Sequence, residues 1–330
     1  MQSILLIVAG ILVIFAACEL FVNSIEWLGR ILRISENAVG TVLAAVGTAL
    51  PESLVTLIAL VFSHGQAGSE DIGIGAILGG PLMLGTIAYG VVGLTAVSAG
   101  RSRRHGARLT FNQAEIAADV LWFLAIFAAA IAGSAIRFQA ARIGLAIVLV
   151  GAYFVYAFRK LGQEAGEQRA LNRLHFHRRV AVPDAWRVVL QVALGVLGMI
   201  YGANLFVDNL SVLARGAGIA AVVLSILLSP VATELPEIMN AVLWVRQGKE
   251  DLAVGNVSGS MLVQSAIPCA LGLSFSTWEL SRQPLVAAAA IFASTLFIYV
   301  NLRARRLNAP RLLAAGLPYL AVLGLFAAGV

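Results

Sequence analysis

Apolar residues run through this chain in long stretches separated by short polar connections, without the period-two alternation of half-buried strands. Ten stretches can be drawn: Ile4 to Leu28, Ala38 to Phe62, Ile72 to Val97, Glu115 to Gly133, Ile143 to Phe158, Val188 to Leu213, Ala220 to Val245, Leu252 to Phe275, Val286 to Leu302 and Leu312 to Ala328. A membrane-spanning helix needs about 20 mostly apolar residues. The pattern therefore predicts an all-α polytopic membrane protein of about ten transmembrane helices.

Polar residues inside the stretches recur at fixed offsets. Gly47-Thr48-Ala49-Leu50-Pro51-Glu52 matches Ala232-Thr233-Glu234-Leu235-Pro236-Glu237, and Leu20-Phe21-Val22-Asn23 matches Leu205-Phe206-Val207-Asp208, both at offset 185. Glu70-Asp71 with Gly75 and Gly79 matches Glu250-Asp251 with Gly255 and Gly259 at offset 180. The chain is duplicated: residues 1–158 form one five-helix repeat, 159–187 a linker and 188–330 the second repeat. Five spans is an odd number, so the copies enter the membrane in opposite senses. Inverted repeats of this kind place a transport site near the midplane, at the junction of the halves, on helices broken there. Pro51 and Pro236 are the expected breaks, because proline lacks a backbone donor and clashes with the preceding turn. A carboxylate in hydrocarbon costs roughly 2.5–3.5 kcal/mol on insertion scales, so Glu52 and Glu237 each need a partner or a task. Their matched settings point to one shared cation site.

Composition agrees with a membrane protein. The chain is 60% hydrophobic and 12% charged, with a mean hydropathy of +0.90, whereas soluble domains carry about 25% charged residues. Of the 23 Lys and Arg, 19 fall in connections after odd-numbered spans and only Arg137, Arg142, Arg215 and Arg282 on the other side. The positive-inside rule then makes the odd connections cytoplasmic and leaves both termini outside, in the cell (inner) membrane. This bias accounts for most of the net charge of +6. The basic cluster Arg169 to Arg187 reads as a linker lying near anionic lipid, and no nucleic-acid partner is expected. The first span lacks a positive n-region and carries Glu19 and Glu26, so it is not expected to be a cleaved signal peptide.

On these motifs the chain resembles the sodium/calcium exchanger branch of the cation/calcium antiporter superfamily. That family's signature is G-T-S-L-P-E followed by an acidic loop and G-N-x-x-G-S-N-x-x-N/D, once per repeat, in ten helices. The resemblance implies ion exchange, with Glu52 and Glu237 as the paired central ligands, Thr48 and Thr233 beside them, and Ser260 retained from G-S-N in Gly255-Asn256-Val257-Ser258-Gly259-Ser260. The departures are specific. The T-S serine is Ala49 in one half and Glu234 in the other, the first-half glycine motif reads Gly79-Gly80-Pro81, and the final Asn/Asp is Leu84 or Gln264. The metal candidates are thus Glu52, Glu237, Glu234, Thr48, Thr233, Ser260 and Gln264. Calcium takes six to eight oxygens in irregular geometry, which this set, freed carbonyls and water can supply. Three crowded, desolvated carboxylates cannot all stay ionised without a cation, so protons should compete with the metal.

Remaining polar groups carry less. Glu19, Asn23, Asn204 and Asp208 read as interhelical hydrogen-bonding groups, with an ion pathway or gate as the alternative. The acidic pairs suit helix N-termini, and the glycines from 73 to 90 a close helix contact. Cys18 and Cys269 are expected to pack, and His175 and His177 sit in too basic a loop for a metal. No P-loop, dinucleotide fingerprint or nucleophile constellation is present, so the reading is a non-enzymatic protein without a cofactor. The reading is a secondary antiporter exchanging a divalent cation, calcium first, against sodium or protons by alternating access. The rival is a cation channel or a non-coupled ion-binding membrane protein of the same fold, for which the apolar first half offers no continuous polar pore.

Overall fold

The computed structural model describes residues 2–62, 69–100, 106, 108–162, 171–177, 180, 182–216, 226–227 and 229–328. His64, His105, residues 163–170, 178, 179 and 181 of the basic linker and the start of the seventh predicted span lie outside these residues. Among the described residues every regular element is helical. Helix α1 covers Gln2–Leu32. Helix α2, Glu36–Ala38, starts at Ser35, whose hydroxyl accepts the Ala38 N–H at 3.2 Å. It passes through a wide turn at Val39–Ala44 into α3, Ala45–Leu57, which ends in a second wide turn at Ile58–Phe62. Then come α4, Ser69–Met83, α5, Tyr89–Ser98, α6, Gln113–Ala132, and α7, Gln139–Leu161. The second half holds α8, Ala185–Gly216, α9, Ser229–Thr233, α10, Leu235–Arg246, α11, Glu250–Phe275, α12, Arg282–Arg303, α13, Ala309–Ala314, and α14, Leu317–Ala327.

Among the described residues, eight stretches of helix are long and apolar enough to cross a membrane. They correspond to eight of the ten predicted spans; the other two are the segments carrying the proline–glutamate motifs. Burial separates centre from rim. The apolar windows of α4–α5 and α11 are 83% buried, against 28% for α1, α7 and α8, so the former make the core and the latter face lipid with side chains such as Leu12, Phe158 and Leu197.

Inversion is visible in the packing of repeat mates. A Cβ on Gly195, Gly198 or Gly202 of α8 would lie 2.9 Å from Phe21, 2.8 Å from Ala17 and 2.8 Å from Ile14 of α1 respectively. Rising numbers on one helix meet falling numbers on the other, so the mates run antiparallel. The core repeats the relation. A Cβ on Gly79 of α4 would meet the Ile226 carbonyl oxygen at 2.8 Å, and one on Gly259 of α11 would meet the Thr41 carbonyl oxygen at 2.2 Å. Residues 41 and 226 differ by the repeat offset, so each half lodges a backbone carbonyl against a glycine of the other.

The expected proline breaks are corrected in one half and displaced in the other. Helix α3 runs continuously through Pro51, the irregularity being taken up by the wide turns at its two ends. In the second half the chain bends at Glu234, two residues before Pro236, which then sits in the first turn of α10. Proline is tolerated there because first-turn N–H groups have no intrahelical partner. Glu234 N still donates to Pro230 O at 2.9 Å, and Ile238 N to Glu234 O at 3.1 Å, so the bend interrupts the helix only lightly.

The acidic pairs do more than start helices. Glu70 accepts from Thr277 N and Oγ1 at 2.5 and 2.6 Å, while Glu250 accepts from Thr110 Oγ1 at 3.0 Å and Asp251 from Asn112 N at 2.9 Å. They tie helix starts to neighbouring loops. Asn23 and Gln191 fasten the linker to α1 and α8: His175 N donates to Asn23 Oδ1 at 3.0 Å, Phe176 N to Gln191 Oε1 at 3.0 Å, and Gln191 Nε2 to Asn23 Oδ1 at 3.0 Å.

Candidate functional site

All seven residues singled out in the sequence converge where α3, α10 and α11 meet. Glu52 on α3, Glu237 on α10 and Glu234 at the bend between α9 and α10 are each at most 1% exposed. Thr48 lies one turn before Glu52, with its hydroxyl 3.4 Å from Ser260 Oγ. The two halves serve each other: Thr233 of the second repeat faces Glu52 of the first, and Thr48 of the first faces Glu237 of the second together with Ser260. No ordinary hydrogen bond closes on any of the four carboxylate oxygens of Glu52 and Glu237.

Glu234 behaves differently. Gln264 Nε2 donates to both of its oxygens, at 2.9 and 3.0 Å, and the Thr233 hydroxyl lies 3.4 Å from Oε1. The amide oxygen of Gln264 is buried without a partner. This pair leans on the first repeat at Gly80, where a Cβ would stand 2.7 Å from Gln264 Oε1 and 3.0 Å from Glu234 Oε1. Gly80 is the position at which the resembled motif has serine. A side chain at Gly80 would occupy space that the Glu234 and Gln264 side chains fill, so these three departures from the resembled motif meet in one contact.

The three carboxylates sense one another's charge, and unpaired buried charge is expensive. Among the described residues no three His, Cys, Asp or Glu side chains gather into a ready metal cage. A cation here would take Glu52 and Glu237 as its anionic ligands and draw the rest from neutral oxygens: Thr48, Thr233, Ser260 and the Gln264 amide. That donor set is hard and oxygen-only, which suits calcium and sodium rather than a soft transition metal.

Cys18 and Cys269 are buried free thiols, and Cys18 Sγ lies 3.7 Å from Pro236 O, consistent with packing. Glu19 lines a cavity of about 580 Å³ beside the linker, together with Val22, Asn23 and Glu26. Sequence reasoning missed several buried polar groups, Asp119 and Asn240 among them. Asp119 pairs with Lys160 Nζ and Tyr156 Oη, both at 2.9 Å, between α6 and α7, so Lys160, which the charge pattern assigns to the basic linker, is a buried residue of α7. Asn240, three residues past Glu237, is fully buried with both amide atoms unpartnered. A polar residue in an apolar span was its only signal, since its repeat mate is Val55.

A family model described as sodium/calcium exchanger protein matches residues 2–162 and 187–327. The inner membrane protein YrbG of Escherichia coli is 27% identical over 267 residues, covering 79% of this chain and 76% of that protein. The cation/calcium exchanger 2 of Arabidopsis thaliana is 25% identical over 170 residues, 51% of this chain but 29% of that protein. Among solved structures, the sodium-calcium exchanger NCX_Mj soaked with 2.5 mM Na+ and 0.1 mM Ca2+ superposes with a TM-score of 0.75, at 19% identity and 98% coverage of both chains. The shared fold is an all-helical membrane architecture of inverted repeats.

Proposed function

The chain belongs to the sodium/calcium exchanger protein family, and we propose that it is a secondary antiporter that carries calcium against sodium or protons by alternating access. Glu52 and Glu237 hold the divalent ion, with Thr48, Thr233, Ser260 and Gln264 as neutral ligands and Glu234 as a third negative charge held beside them. The observation that carries this reading is the set of five buried oxygens, two each on Glu52 and Glu237 and one on Gln264, on which no ordinary hydrogen bond closes, although the Thr233, Thr48 and Ser260 hydroxyls face the two carboxylates. Buried acceptors without donors are rare in folded proteins. A dehydrated cation between the two carboxylates would supply the missing partner and offset their charge. The protein then cycles as two repeats, 1–158 and 188–330, joined by the linker 159–187.

Calcium flux in proteoliposomes, with sodium and pH gradients imposed separately, tests the reading. Uptake driven by one gradient is expected and identifies the counter-ion. Uptake that runs down the calcium gradient with no counter-ion dependence would make the protein a channel. Glu234 bears on the same question. A Glu234→Ser variant should release fewer protons per calcium bound, measured by titration calorimetry in buffers of different ionisation enthalpy; equal release would separate Glu234 from the coupling.

Sidedness follows from the charge asymmetry, which supports a cytoplasmic linker and outward termini. A cysteine introduced near Leu171 should resist an impermeant thiol reagent in sealed right-side-out vesicles. Ready labelling would invert the topology.

A further inference from the structure

Helices α1 and α10 lie side by side in one register. Cys18 Sγ meets the Pro236 carbonyl oxygen at 3.7 Å, and Glu26 Oε1 accepts from Trp244 Nε1 at 2.9 Å. Both contacts join residues 218 apart, so the helices are parallel, and the same register sets Val22 opposite Asn240. On α10, Pro236, Asn240, Leu243 and Trp244 share one face, which the C-terminal cap Gln247 continues. Its upper end adjoins Glu237; its lower end, at Leu243 and Gln247, lines the cavity of about 580 Å³, across from Val22 and Glu26 on α1.

Asn240 is therefore the polar group in the seam between the ion site and the cavity. It is fully buried, and neither its amide oxygen nor its amide nitrogen has a partner. Such a group is costly to bury, and Val22, the α1 residue opposite it in this register, has no side-chain group to pair with an amide. An unpaired neutral oxygen suits a transient cation ligand: it replaces one water of hydration yet holds the ion more weakly than a carboxylate, as a pathway site must if ions are to leave it.

We infer that Asn240 is a relay for the transported cation. The ion enters the linker-side cavity, where Glu19 and Glu26 stand, moves into the α1–α10 seam as Val22 draws away, exchanges part of its water for the Asn240 oxygen, and passes to Glu237 one turn further on. The ion pair between Lys249 Nζ and Glu26 Oε2 and the indole of Trp244 close the seam at its mouth. This rests on the cation site proposed above.

The test separates transport from binding. Asn240→Leu keeps the volume and removes the oxygen; calcium exchange in proteoliposomes should slow about tenfold or more, while calcium affinity of the detergent-solubilised protein stays within about twofold and thermal stability is unchanged or higher. Asn240→Ser should slow exchange less than Asn240→Ala, a contrast that holds even if the leucine variant fails to fold. Exchange at the wild-type rate in Asn240→Leu would make the amide a structural residue and overturn the relay. Rate and affinity falling together would make it a ligand of the central site, which also overturns it. Wild-type protein that bound no calcium would remove the central site, and the relay with it.

Discussion

Glutamine at position 52 or 237 should abolish calcium exchange and leave the protein folded. Each substitution keeps the shape of the side chain and removes one of two anionic ligands from a site that is at most 1% exposed at both. Taking one partner from a buried ionic arrangement costs about 3–5 kcal/mol, a loss of affinity of roughly two to four orders of magnitude. Stability should not fall in parallel, because without a cation these carboxylates are unpaired and a neutral amide is cheaper to bury. Calcium uptake in proteoliposomes and calorimetric titration of the same preparations read the two effects. Wild-type uptake and affinity in either variant would remove that residue from the site.

The largest effect on folding is expected at Gly259. A Cβ there would stand 2.2 Å from the Thr41 carbonyl oxygen, 2.6 Å from its Cα and 2.7 Å from its carbonyl carbon, all backbone atoms. A flexible side chain could swing aside, but two packed helices must separate. Gly259→Ala should therefore cost at least the ~1–3 kcal/mol typical of overpacked cores. It should also loosen the contact that sets Thr48 against Ser260. Gly144→Ala, where a Cβ meets nothing within 4 Å, is the matched control and should be neutral or slightly stabilising. Thermal unfolding in detergent compares them; a Gly259→Ala protein that melts with wild type would contradict the packing of the two halves.

Much of this architecture is legible in the sequence because membrane helices announce themselves by length and apolarity, and because acids in hydrocarbon are conspicuous. The duplication was readable for the same reason: Pro51-Glu52 and Pro236-Glu237 are hard to explain singly and simple to explain as a pair. Helix geometry at those prolines was not. Whether a proline breaks a helix depends on what its neighbours allow, and α3 absorbs Pro51 between two wide turns while α9 and α10 bend at Glu234. Taking the motif departures one by one also misses the spatial meaning of Gly80. Gly80 comes against Glu234 and Gln264 only once α4, α10 and α11 are packed, and that contact brings three separate departures together across the repeat interface. Asn240 was invisible to repeat logic, which rewards residues that have mates, and its setting follows from the register of α1 on α10.

The most direct test is to locate the ion. Crystals grown or soaked in calcium and measured at long wavelength should show a single strong anomalous peak between the carboxylates of Glu52 and Glu237, within about 2.3–2.6 Å of their oxygens, and no peak in a Glu52→Gln/Glu237→Gln protein. An ion bound elsewhere, or a peak that survives in the double variant, would contradict the account.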